Sequence, residues 1–95
     1  MTIVKLKTQR YEIDRTYEYE IEIDVDKYDF FTLEYRLASW HLIGHKCRKY
    51  KNEYKRTEEE LSYDYVLFKD MVDFIANANA ECWRRWLEKV IGEEQ

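Results

Sequence analysis

The sequence predicts an α+β fold: an N-terminal antiparallel β-hairpin, extendable to a three-stranded sheet, covered on one face by two or three C-terminal α-helices. Three observations predict it. Residues 17–26 place apolar or aromatic side chains at odd positions and carboxylates at even ones, the period of a strand with one face buried. Residues 3–11 alternate as well, with Val4, Leu6 and Thr8 on one face and Lys5, Lys7 and Gln9 on the other. Further on, Leu61, Tyr65, Phe68, Val72, Ile75, Asn79, Cys82 and Trp86 recur at alternating steps of four and three, which is helical periodicity.

The first two runs pair as a hairpin turning through Ile13, Asp14, Arg15 and Thr16. In the predicted register Val4 opposes Val25, Leu6 opposes Ile23, Lys5 opposes Asp24 and Lys7 opposes Glu22. A slip of one residue would turn charge toward the core, so the pattern selects the facing.

Residues 29–43 read as a helix, with Asp29 as its cap, Gly44 at its end and Thr32, Arg36 and Ser39 as its solvent stripe. As a strand, Leu33, Tyr35 and Leu37 would alternate with Thr32, Glu34 and Arg36 and add a third strand. Helix is the expectation, because the alternation fails after Leu37. Residues 45–56 are polar and basic and read as a connection or a helix end. Thr57, Glu58, Glu59 and Glu60 then match a capping box.

A single helix over 58–91 would run about 50 Å, beyond the roughly 30 Å of a small domain. A break at Asn77–Ala80 is therefore expected, giving helices near 58–76 and 79–91 with Asn79 as an N-cap. Asn79 as a buried polar residue in a helix dimer is the alternative, so the chain is expected to be a monomer or a homodimer.

One domain spans residues 1–95. The chain has no proline, and its only glycines are Gly44 and Gly92, so no linker divides it. Hydrophobic residues at 45% and aromatics at 17% argue against disorder despite 38% charged residues. No apolar run is long enough for a membrane span, and residues 1–5 do not resemble a secretory signal. Two cysteines, Cys47 and Cys82, make no disulfide framework, so a reducing, cytoplasmic setting is expected. Catalysis is not expected: Ser39 and Ser62 lack a glycine-flanked elbow, and two isolated glycines build no phosphate-cradling loop. No cofactor is expected.

Charge is unevenly spread. Residues 12–34 hold nine acids against only Arg15 and Lys27. The candidate partner-binding residues are Glu18, Glu20, Glu22, Asp24, Asp26, Tyr28 and Asp29. Same-face strand residues repeat about every 6.6 Å, whereas duplex DNA carries a charge every ~1.7 Å of axis, so this comb is too sparse to copy a duplex. The expected partner is a protein with a basic surface, such as a nucleic-acid-handling protein. By analogy of size, charge and missing catalytic apparatus, the chain fits a phage- or mobile-element-type inhibitor of the anti-CRISPR kind. The bland alternative is a solvated sheet face neutralised by Lys5 and Lys7.

The opposite pole is Lys46, Arg48, Lys49, Lys51, Lys55 and Arg56, interleaved with Tyr50 and Tyr54 and opposed only by Glu53. Cations with stacking aromatics suit nucleic acid, and Arg84 and Arg85 between Trp83 and Trp86 would add to such a site. Direct nucleic-acid binding is the alternative function, less expected because net charge is −4. His41, His45, Cys47 and Cys82 form a conceivable zinc tetrad, set aside because Cys82 lies on an apolar helical seam. No metal site is expected.

Overall fold

The computed structural model describes residues 1–61 and 66–94. Tyr65, one of the predicted seam residues, and Ser62 lie outside the described residues. Strands β1 (Ile3–Tyr11) and β2 (Thr16–Asp24) form one antiparallel sheet, followed by a 3-10 turn at Val25–Lys27. Strands β3 (Phe30–Arg36), β4 (Ser39–Tyr50) and β5 (Glu53–Glu60) form a second, in the order β3-β4-β5, and helix α1 (Phe68–Glu94) follows. The α+β class holds. Among the described residues, however, there is one helix, not two or three.

The first hairpin forms with its predicted faces and a register displaced by two residues. Val4 pairs with Ile23, Lys5 with Glu22, Leu6 with Ile21 and Lys7 with Glu20. The turn lies one residue earlier than expected, over Glu12–Arg15, and is closed by the Glu12 N–H donating to the Arg15 carbonyl at 3.0 Å. An even displacement leaves every side chain on its own face, so Leu6 and Ile23 are still buried and Glu20 and Glu22 still exposed.

Residues 29–43 are not a helix. They form most of a second hairpin, in which Phe31 pairs with Gly44, Leu33 with Leu42 and Tyr35 with Trp40. Its two-residue turn is Leu37 and Ala38, at φ 52° and 63°. Such turns ordinarily use Asn and Gly, because side chains disfavour positive φ. Residues 45–56, read as a connection, are instead the end of β4 and the start of β5. The proposed capping box is strand too: Thr57, Glu58, Glu59 and Glu60 pair with Lys46, His45, Gly44 and Ile43. A capping box is a local preference worth about 1 kcal/mol, and it yields here to pairing with a strand that would otherwise leave backbone groups unpaired.

The core collects Leu6, Ile23, Phe31 and Leu42 from the sheets, Val25 and Tyr28 from the 3-10 turn and its end, Val66 from just before α1, and Met71, Phe74, Ala78 and Cys82 from α1. Helix and strands meet around Phe74, whose ring stands edge-on to Phe31 with centroids 5.4 Å apart. The buried stripe is Met71, Phe74, Ala78 and Cys82. The predicted seam is thus rotated, leaving Phe68, Val72 and Trp86 exposed.

The helix does not break at Asn77–Ala80. Its 27 residues run about 40 Å, accommodated because the molecule is elongated, 58 × 28 × 17 Å. Asn79 caps no helix. Its Oδ1 accepts the Phe31 N–H at 2.8 Å, and its Nδ2 donates to the Phe31 carbonyl at 3.0 Å. One amide side chain thus satisfies both backbone groups of Phe31. Asn79→Ala should cost about 1–3 kcal/mol, the usual effect of stranding hydrogen-bonding groups. Urea unfolding with an unchanged m-value would show it, and an unmoved midpoint would count against this clamp.

The helix start is also built by tertiary contact. Thr8 of β1 accepts the Leu67 N–H at 3.2 Å and donates to Asp70 Oδ2 at 2.9 Å. At the far end Arg85 donates to the carbonyls of Val25 and Tyr28 at 3.2 and 2.5 Å and to Asp26 Oδ1 at 3.1 Å. These contacts fix the 3-10 turn against the helix.

Candidate functional site

The predicted acidic face exists as geometry. Glu18, Glu20 and Glu22 are exposed on the outer face of β2, opposite Gln9, Lys7 and Lys5. Lys5 reaches Glu20 at 3.1 Å, so part of the charge is neutralised within the ladder. The other predicted contact residues are more committed. Asp24 accepts the N–H groups of Asp26 and Thr2 at 3.1 and 3.3 Å and caps the 3-10 turn. Asp26 pairs with Arg85, and Asp29 accepts the Cys47 N–H at 2.5 Å.

Tyr28, read from the sequence as a surface contact, is buried instead, at 7% exposed. Its ring covers Gly44, and its hydroxyl donates to Glu59 at 2.8 Å. Burial and, after it, the Glu59 carboxylate push its pKa up to about 12. Among the described residues Tyr11, Tyr35 and Tyr54 are widely exposed, whereas Tyr17 and Tyr19 are half-buried.

The basic segment forms a two-stranded ribbon. Strand β3 begins at Phe30, opposite His45, so beyond that point β4 and β5 pair only with each other. Arg48 stands opposite Lys55 and Lys49 opposite Tyr54, and Lys51 occupies the turn at φ 55°. Lys46 lies over the Tyr28 ring at 5.2 Å and Lys49 over the Tyr54 ring at 5.8 Å. The side chain of Tyr50 lies outside the described residues. Arg84 and Arg85 do not join this segment: Arg84 is held by Glu81 and Glu88 at 2.7 Å each, and Arg85 holds the 3-10 turn.

A groove of about 680 Å³ runs between the C-terminal half of α1 and the start of β3, lined by Asp26, Asp29, Phe30, Trp83, Trp86 and Lys89 among others. Trp83 and Trp86 are 62% and 51% exposed, with ring centroids 5.1 Å apart. Leu87 and Ile91 continue this apolar surface. The sequence periodicity places Trp86 on the buried seam of the helix. The rotation of the helix exposes both tryptophans, and nothing local to residues 83–86 encodes it.

The four residues of the conceivable zinc tetrad do not converge. Cys47 and Cys82 are free thiols, the first exposed and the second buried. Burial raises the Cys82 pKa, against a smaller opposing effect of Arg85. His41 lies between the Glu60 carboxylate on Nδ1 and the Arg36 carbonyl, 3.0 Å from Nε2. Chiefly because of Glu60, and then the Arg36 carbonyl, its pKa is raised above the ordinary 6.5, partly opposed by burial.

A raised folded-state pKa contributes stability that is fully present below the unfolded value and is lost as pH rises through the folded one. The urea midpoint should therefore fall between pH 6 and pH 9, and His41→Gln should reduce that fall. An equal fall in the variant would show that His41 is not responsible.

Comparison with family models, with curated protein sequences and with solved structures returned no match. No helix among the described residues is long and apolar enough to cross a membrane.

Proposed function

We propose that the protein is a non-enzymatic binding module that works by contact with a protein partner carrying a basic surface. The observation that carries this reading is the pair of exposed tryptophans on the wall of the Phe30 groove. Tryptophan buries a large area at low entropic cost and dominates the energetics of many interfaces. An apolar patch rimmed by charge marks a contact surface. The partner's sign follows from the net charge of −4 and from Glu18, Glu20 and Glu22 standing in one exposed row, which favours approach of a cationic surface. Where those cations ordinarily hold phosphate, the module would act as an inhibitor of a nucleic-acid-handling protein.

Affinity capture from native lysate tests this when run with and without nuclease and with two variants. The wild-type chain should retain a protein after nuclease treatment, and Trp83→Ala/Trp86→Ala should lose it. Glu18→Lys/Glu20→Lys/Glu22→Lys should slow association and remove its salt sensitivity; Asp24 is left intact because it caps the 3-10 turn. Equal capture by all three chains would refute the reading.

A second reading rests on the basic ribbon. Its six cations, of which Arg56 is paired with Glu58, sit on a two-stranded element of a kind that a major groove about 12 Å wide admits. Capture that vanishes with nuclease would favour it. It requires salt-dependent oligonucleotide binding with a slope reduced in Lys49→Gln/Lys51→Gln, and no binding at low salt would end it.

A further inference from the structure

On the face of the second sheet turned away from Phe74, three side chains converge. Glu34 comes from β3, His45 from β4 and Glu58 from β5, and each offers a donor atom within 4.8 Å of the other two. His45 is 2% exposed, and its Nδ1 has no hydrogen-bond partner. Its other nitrogen, Nε2, is 2.7 Å from Thr32 Oγ1, and its ring stacks on Phe30 with centroids 4.4 Å apart and planes 7° apart. The imidazole is thus fixed in place. When Nε2–H donates to the Thr32 hydroxyl, Nδ1 presents a lone pair to Glu58 Oε1, 3.8 Å away. That is beyond hydrogen-bond range, and a buried ring nitrogen without a partner is uncommon. Arg36 and Arg56 neutralise the two carboxylates from the solvent side, but neither satisfies the buried His45 Nδ1, whose lone pair remains open to a cation shared with the glutamates.

We propose that Glu34, His45 and Glu58 bind a first-row divalent transition-metal ion, with zinc as the representative. Zinc holds nitrogen and oxygen ligands at about 2.0–2.2 Å, which sets tetrahedral ligand–ligand distances near 3.4 Å. The 3.8 Å between His45 and Glu58 needs only a small closure. One imidazole with two carboxylates suits zinc, manganese or iron better than calcium or magnesium, which take all-oxygen sets, and better than copper(I), which prefers sulfur. The Thr32 contact is the outer hydrogen bond that ordinarily orients a metal-bound histidine.

Two arginines set the affinity. Arg36 bridges the carboxylates, touching Glu34 and lying 3.3 Å from Glu58 Oε2, and Arg56 lies 3.3 Å from Glu58 Oε1. The Arg36 side chain is half-exposed and can swing into water. It competes with the metal for both carboxylates, so removing it should tighten binding. The site adjoins the tryptophan groove through Phe30, which lines that groove and stacks on His45, but it does not rest on the function proposed above.

The test is titration of the full chain, in a Cys47→Ser background, with cobalt(II) followed by visible absorption, then displacement by zinc. One saturable site is expected per chain, with zinc shifting the His45 imidazole resonances and not those of His41. Glu34→Gln and Glu58→Gln should each weaken binding at least about tenfold, Thr32→Val by about 10–100-fold, and Arg36→Gln should strengthen it. His45→Gln is avoided because that side chain is buried. No saturable binding at pH 7.5 by the Arg36→Gln chain, or binding equal in wild type and Glu58→Gln, would overturn the site.

Discussion

Phe74→Ala is expected to cost about 3–5 kcal/mol, the range for deleting a buried aromatic side chain. Phe74 is one of the largest fully buried side chains, and it is where α1 meets the second sheet through Phe31. A small domain holds only about 5–15 kcal/mol in total. At roughly 4–8 °C per kcal/mol for a chain of this size, the melting temperature should fall by at least about 12 °C. Thermal unfolding followed by circular dichroism reads this directly. Phe74→Leu, which keeps most of the apolar volume, should recover more than half of the loss. A fall of only a few degrees for the alanine variant would mean that the helix does not bear on the sheets as described.

Gly44→Val should be comparably severe, and Gly44→Ala should cost about 1–3 kcal/mol through overpacking. A Cβ at position 44 would lie 2.6 and 2.7 Å from two ring carbons of Tyr28 and 3.2 Å from Leu61. The ring has little freedom to retreat, since its hydroxyl is bonded to Glu59 and its face packs on Phe31 at 5.1 Å. The double variant Gly44→Ala/Tyr28→Ala separates this from a backbone effect. Removing the ring should cancel most of the alanine penalty, a coupling of about 1 kcal/mol or more within the range for touching residues. Strictly additive costs would point instead to backbone conformation at position 44, as a helix-ending glycine would require.

The legible parts of the fold are those whose signal is local. The alternation from Tyr17 to Asp26 identified β2, its buried face and its carboxylate face, and a register shift of two residues left all of this intact. The long helix was legible as periodicity, but its start, length and rotation were not. Thr8 supplies its N-terminal contacts, Asn79 joins it to Phe31, and Phe31 chooses Phe74 as its neighbour; each is a contact between residues far apart in the chain. The second sheet was hidden for a different reason. Leu37 and Ala38 adopt a turn that their side chains disfavour, so the hairpin has none of its usual marks. Gly44 then stood where a helix-ending glycine would stand, although its real role is to leave room for a ring. Of the candidate sites, the row of Glu18, Glu20 and Glu22 and the basic residues 46–56 were readable. The tryptophan groove and the Glu34–His45–Glu58 cluster depend on helix rotation and on strand pairing that local patterns do not carry.

Strand β5 has a consequence for solubility. It is the last strand of its sheet, all eight of its residues are exposed, and six of them are charged. Unpaired backbone amides along such a margin could template another chain and propagate a fibril, and charged side chains are a common safeguard against it. The glutamates and basic residues of β5 therefore guard against polymerisation. On the opposite margin the Asn79 amide closes off the backbone of Phe31 in the same sense.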